Sequence, residues 1–149
     1  MRADIRLAVA RDAQAIALMS RRDIEHGLGW SWDEPRVLRA IRDRATNVAV
    51  ADAGGQVAGF GIMQYADDTA HLALLAVQPT ARHQGLGRRL VGWLEKVART
   101  AGIERLHVEA RADNANALAF YDAQGFVELS RVAGYYSRKI AAVRLEKRL

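Results

Sequence analysis

Residues 70–125 constrain the fold more than any other stretch of the chain. They read as an apolar strand (70–77), a loop carrying two glycines, a helix (85–101) ended by Gly102, a strand (104–110) and a helix (114–124) ended by Gly125. Glycine just past the last helical turn is a stop signal. Strands and helices alternate here, so a mixed sheet with parallel pairs is expected. Parallel strands leave a crevice at their carboxyl ends, where ligands bind.

The flanking segments complete the pattern. Residues 3–9 read as a strand, and Asp12 stands where it can cap a helix reaching about His26. Asp33, Glu34 and Pro35 open a second helix that runs to Asp43. Residues 47–52 and 56–65 are strands joined by a tight turn at Gly54 and Gly55. Residues 126–132 and 137–145 are the last two strands. The predicted order is β-α-α-β-β-β-α-β-α-β-β, an α+β fold with a mixed sheet of about seven strands flanked by helices.

Composition narrows the function. The 149 residues suit one domain, 1–149. Cysteine is absent, which excludes disulfides, thiolate metal sites and a cysteine nucleophile. His26, His71, His83 and His107 lack the spacing of metal ligands, so no metal is expected. None of the four serines sits in a hydrolase elbow. No apolar run reaches the roughly 18 residues of a membrane span. Residues 1–6 lack the apolar core of a signal peptide, so a cytoplasmic protein is expected. The formal charge is +5, but the cations are spread along the chain. Nucleic acid therefore ranks low as a partner.

The loop after the third apolar run carries chemistry. Its residues are Arg82, His83, Gln84, Gly85, Leu86, Gly87 and Arg88. A helix N-terminus offers several backbone N–H groups that no helical carbonyl satisfies, and the helix dipole adds positive potential. Glycines at 85 and 87 let an anion approach the backbone, and Arg82 and Arg88 add charge. This outlines a diphosphate cradle. It is not a Walker loop, and it lacks the third glycine of a dinucleotide fingerprint. On the glycines alone, an ordinary capping turn is an equal reading.

The stretch Arg82-His83-Gln84-Gly85-Leu86-Gly87 resembles the Arg/Gln-x-x-Gly-x-Gly/Ala signature of the GNAT superfamily of N-acetyltransferases, with Val77-x-Pro79 before it. A second stretch resembles the same family: Asn114-x-x-Ala117-x-x-Phe120-Tyr121-x-x-x-Gly125-Phe126. Its match is nearest the branch that acetylates protein N-termini, typified by ribosomal-protein-alanine N-acetyltransferases. The resemblance is strongest over residues 70–130. It implies an acetyl-CoA-dependent N-acetyltransferase of the GNAT fold. It also implies that loop 82–88 holds the coenzyme A diphosphate, that Leu75, Ala76 and Val77 run beside the pantetheine arm, and that Asn114 contacts the coenzyme.

Acetyl transfer to an amine needs a base for the amine and an acid for the departing thiolate, flanking one small space. The resemblance assigns these roles to Glu109 and Tyr121. A Tyr hydroxyl, with an ordinary pKa of about 10, suits a thiolate. A Glu carboxyl, ordinarily about 4.3, needs burial or a water chain to serve as base at neutral pH. Other readings of these residues stay open. Glu109 fits a strand residue paired with Arg111 at spacing two, Tyr121 a packed helix residue, and Asn114 a helix cap. His107, two residues before Glu109, is a reserve base. The run 69–77 holds no acidic residue for the position where some family members place theirs.

By the same resemblance the acceptor lies between the loop joining the first two helices, with Trp30 and Trp32, and the loop joining the last two strands, with Tyr135 and Tyr136. These aromatics equally suit half-buried core edges. The acceptor is an amine, on a peptide N-terminus or a small molecule, and the protein is a monomer or homodimer. The rival reading is a catalytically silent acyl-CoA sensor of the same fold.

Overall fold

The computed structural model describes residues 2–136 and 140–149, except the side chains of Tyr135 and Tyr136. Seven strands form one sheet: β1 (Asp4–Leu7), β2 (Thr46–Ala53), β3 (Gln56–Ala66), β4 (Thr69–Val77), β5 (Arg105–Arg111), β6 (Val127–Tyr136) and β7 (Ile140–Arg148). Their spatial order is β1-β2-β3-β4-β5-β7-β6. The expected element order and mixed sheet are as read from sequence. The parallel pairing is confined to one pair, β4 with β5, because every other neighbour is joined antiparallel.

Four α-helices flank the sheet: α1 (Ala13–Met19), α2 (Glu34–Arg42), α3 (Leu86–Thr100) and α4 (Ala115–Ala123). Helices α1 and α2 cover one face through Ile16, Met19 and Val37, packed with Phe60, Ile62 and Leu74. Helix α3 covers the other through Leu90 and Leu94, packed with Met63, Leu72 and Leu106. Tyr121 of α4 and Phe126 join that second core. Such burial of large apolar side chains is worth about 1.5–3 kcal/mol each.

Strand β4 reads in sequence as one apolar run, yet it changes faces midway. Ile62 pairs with Leu74 and Met63 with Leu72, so Ala73 is an extra residue, a β-bulge. Before the bulge Leu72 faces α3. After it Leu74 faces α1 and α2.

Two expected boundaries differ. The first helix does not run smoothly to His26. It passes into a π-turn over Ser20–Ile24, closed by Glu25 N–H donating to the Ser20 carbonyl at 2.7 Å. Asp12 does not cap α1 by its side chain. Its carboxylate accepts from Arg6 at 2.8 and 3.1 Å and from Val9 N–H at 2.8 Å. At the other end, β6 continues to Tyr136, so Tyr135 and Tyr136 belong to a strand and not to a loop. Gly134, at φ +65°, absorbs the turn signal as an irregularity within that strand.

Candidate active site

The parallel pair β4–β5 is where the site begins. The two strands are paired from Thr69↔Arg105 to Leu72↔Val108 and no further. Beyond that point β4 keeps its pairing with β3 up to Val77, and β5 keeps its pairing with β7 up to Arg111. The sheet therefore splits. Along residues 73–77 the β4 edge that faces β5 has backbone groups with no strand partner there, and buried backbone groups of this kind require one. Leu75, Ala76 and Val77 lie on this edge.

A cleft of about 780 Å³ opens at the split. Its walls include His71 and Leu75 of β4, Glu109 of β5, Asn114 and Tyr121 around α4, and Trp32 of the segment between α1 and α2. That size is in the usual range for a ligand site. Tyr121 is 8 % exposed, with its ring edge-on to Phe120 and Phe126 at 5.2 and 5.4 Å between centroids. Packing on both sides fixes the ring while it still reaches the cleft. Asn114 caps α4 by accepting from Ala117 N–H at 3.0 Å.

At the mouth lies the two-glycine loop. Gln78, Pro79 and the short 3-10 turn Pro79–Ala81 end β4. His83 and Gly85 both adopt positive φ, +64° and +76°, on either side of Gln84. Gly85 is the N-cap of α3 and provides no side-chain cap, so the first-turn amides of Leu86, Gly87 and Arg88 remain for another acceptor. The two glycines serve different ends. Gly85 supplies left-handed backbone. Gly87 lets α3 and α4 approach, since a β-carbon there would meet Phe120 Cε1 at 3.2 Å. Leu86 contributes only its backbone, because its side chain is 2 % exposed in the core. Arg82 donates to the Val77 carbonyl at 3.3 Å and stands 4.0 Å from Asp23, while Arg88 is exposed. Open amides, dipole and guanidinium groups make this cradle fit a diphosphate.

The remaining residues fall as follows. Glu109 is 23 % exposed on its side chain and pairs with Arg144 at 3.5 Å. Arg111 is not its partner. It binds Asp113 and donates to the His26 carbonyl at 3.2 Å, which ties the segment between α1 and α2 to β5. His107 is engaged by Glu146 at 3.0 Å and is absent from the cleft wall. Trp32 is 7 % exposed and lines the cleft, with Arg36 3.8 Å above its ring. Trp30 does not line it. Its indole N–H donates to the Trp32 carbonyl and Arg21 covers its ring. The side chains of Tyr135 and Tyr136 lie outside the described residues. Among the described residues no cluster of His, Asp or Glu is suited to a metal ion, and no helix is long and apolar enough to cross a membrane.

Two residues of the cleft wall are given no site role by the sequence. Glu25 is buried and accepts from Ser20 Oγ, Ser31 Oγ, Ser31 N–H and Trp32 N–H. Burial opposes its ionisation, but these four donors outweigh burial and hold its carboxyl below the usual range. His71 lines the cleft, and burial pushes its imidazole below the ordinary value.

A split mixed sheet with an amide cradle at its mouth defines a class: acyl-CoA-dependent acetyltransferases. Comparison with known proteins agrees. The Acetyltransferase (GNAT) family matches residues 8–126. The [Ribosomal protein bS18]-alanine N-acetyltransferase of Escherichia coli K12 is 35 % identical over 105 residues, 70 % of each chain. The crystal structure of the ribosomal-protein-S18-alanine N-acetyltransferase from Escherichia coli superposes with a TM-score of 0.86 at 28 % identity, covering 99 % of this chain and 94 % of that one. The PaiA N-acetyltransferase of Thermoplasma acidophilum, solved in complex with coenzyme A, shares the fold with a TM-score of 0.87 at 18 % identity, over the full length of both chains. The chain belongs to the GNAT acetyltransferase family and is an acetyl-CoA-dependent N-acetyltransferase.

Proposed function

We propose that the chain acetylates the α-amine of a peptide or protein N-terminus by direct attack in a ternary complex. The observation that carries this is the continuous cleft from Tyr121, beside the split, to Trp32, beneath the α1–α2 segment. At about 780 Å³ it has room for an extended chain end beside the thioester. The relative that acts on the alanine terminus of bS18, at 35 % identity, supports the same choice.

Acetyl-CoA supplies the activated thioester. The first-turn amides of α3, with Arg82 and Arg88, hold its diphosphate, and the unpaired β4 edge at 73–77 holds its arm. Tyr121 gives its hydroxyl proton to the departing sulfur. Glu109 faces the acceptor side and draws the ammonium in by charge. Absence of cysteine agrees with transfer without an enzyme thioester. The test is a panel of peptides and small amines, including polyamines, with release of thiol as the readout. Preference for peptides with a small first residue supports the reading. Turnover of small amines alone, with no peptide used, overturns it.

A further inference from the structure

We infer that His71 takes the proton from the acceptor ammonium, with Glu109 as the fixed carboxylate beside the imidazolium that results. This rests on the cleft being the site of transfer. His71 is in the last turn of pleat before the sheet splits, where His71↔His107 and Leu72↔Val108 are the final paired positions. It lines the cleft together with Glu109. Its ring makes no hydrogen bond among the described residues. Three neighbouring groups of the right chemistry are engaged: His107 with Glu146, Glu109 with Arg144, and Glu25 with four donors.

Burial keeps the imidazole neutral, Glu109 works the other way, and His107 and Arg144 add to burial. Gln64, its partner on β3, is uncharged. The other charged or titratable residues of the same cleft wall are Asp23, Glu25, His26, Arg36, Arg111, Asp113 and Tyr121. A neutral imidazole offers a free lone pair at neutral pH, as a general base requires.

The step balances. The ammonium gives one proton to the His71 ring nitrogen. The freed lone pair forms the C–N bond as the thioester C–S bond breaks, and the sulfur takes the Tyr121 proton. The second proton of the nitrogen returns to the Tyr121 oxygen, and His71 passes the first to water. One proton is released per acetyl group and no electron is exchanged.

Two measurements test this. In the free protein, an NMR titration of His71, assigned with His71→Gln, is expected to give a midpoint below 6.5 that falls further in Glu109→Gln. In steady state, His71→Gln is expected to lose about 100-fold or more in kcat, with acetyl-CoA affinity kept and the acidic limb of the kcat/KM profile gone. The acceptor's own ionisation is common to both proteins, so the limb that vanishes belongs to His71. Wild-type kcat and an unchanged pH profile in His71→Gln overturn the inference. If Tyr121→Phe is crippled in the same assay, the reading of the cleft survives that failure. If neither variant matters, both fall. Should His71→Gln not fold, the titration decides: a midpoint at or above 6.5, or one that does not fall in Glu109→Gln, overturns it.

Discussion

The backbone N–H of Trp32 donates to Glu25 Oε2 at 3.1 Å, so a buried carboxylate fixes a tryptophan that walls the cleft. The same carboxylate takes Ser20 Oγ at 3.0 Å on the π-turn. One side chain thus binds both ends of the α1–α2 segment. A break in regular helix of this sort often marks a functional position.

Glu25→Gln is expected to lower stability by about 1.5–3 kcal/mol, the worth of hydrogen bonds to a charged group. It is also expected to raise KM for the acceptor while leaving acetyl-CoA affinity unchanged. Denaturant midpoints and calorimetry check the two halves. Weakened acetyl-CoA binding with an unchanged acceptor KM contradicts the assignment of this segment to the acceptor side.

Acid sensitivity follows from two buried carboxylates. For Glu25 and Asp12 burial opposes ionisation, yet donors outweigh it: Ser31, Trp32 and Ser20 at Glu25, and Arg6 and Val9 at Asp12. Both carboxyls sit below their ordinary values. Their contribution is present above the unfolded carboxylate value and is lost as pH falls through the lower folded values. Thermal unfolding across pH 7 to 3 is expected to show a falling midpoint over the acidic part of that range. Asp12→Asn is expected to flatten that fall.

Gly87 lies in the first turn of α3, and a β-carbon there meets the Phe120 ring. Gly87→Asp adds a negative charge among the first-turn amides of α3 and presses on the Phe120 ring. Acetyl-CoA affinity is expected to fall by more than about 100-fold, roughly 2.7 kcal/mol. Retained affinity would show that the diphosphate binds elsewhere.

Tyr121→Phe keeps the ring in its slot between Phe120 and Phe126 and removes only the hydroxyl. If that hydroxyl protonates the thiolate, kcat falls by about 100-fold or more while coenzyme affinity holds. Equal losses in both constants would mean that the hydroxyl serves binding.

Local chemistry made part of this site legible. Gly85 and Asn114 announce helix starts within a few residues, and Phe120-Tyr121 with Gly125-Phe126 marks a helix end packed on the core. These signals need only neighbours in sequence. His71 and Glu25 depend on distant partners. His71 matters because β4 and β5 part beside it, and no property of residues 69–77 states where pairing stops. Glu25 matters because the chain returns at Ser31 and Trp32 to meet its carboxylate. The bulge at Ala73 is equally silent, since residues 72–77 are all apolar and mark no change of face. Trp30 and Trp32 look equivalent in sequence, yet only one faces the cleft, because Trp30 spends its N–H on the Trp32 carbonyl.

The central claim is transfer of acetyl from acetyl-CoA to an N-terminal α-amine. The most direct measurement incubates the protein with acetyl-CoA and one peptide that begins in a small residue, in free and α-blocked forms, and locates the added acetyl by mass spectrometry. The account predicts one acetyl group on the α-nitrogen of the free peptide and none on the blocked one. Equal acetylation of both peptides, on a side chain, or binding of acetyl-CoA without transfer to either, would contradict it.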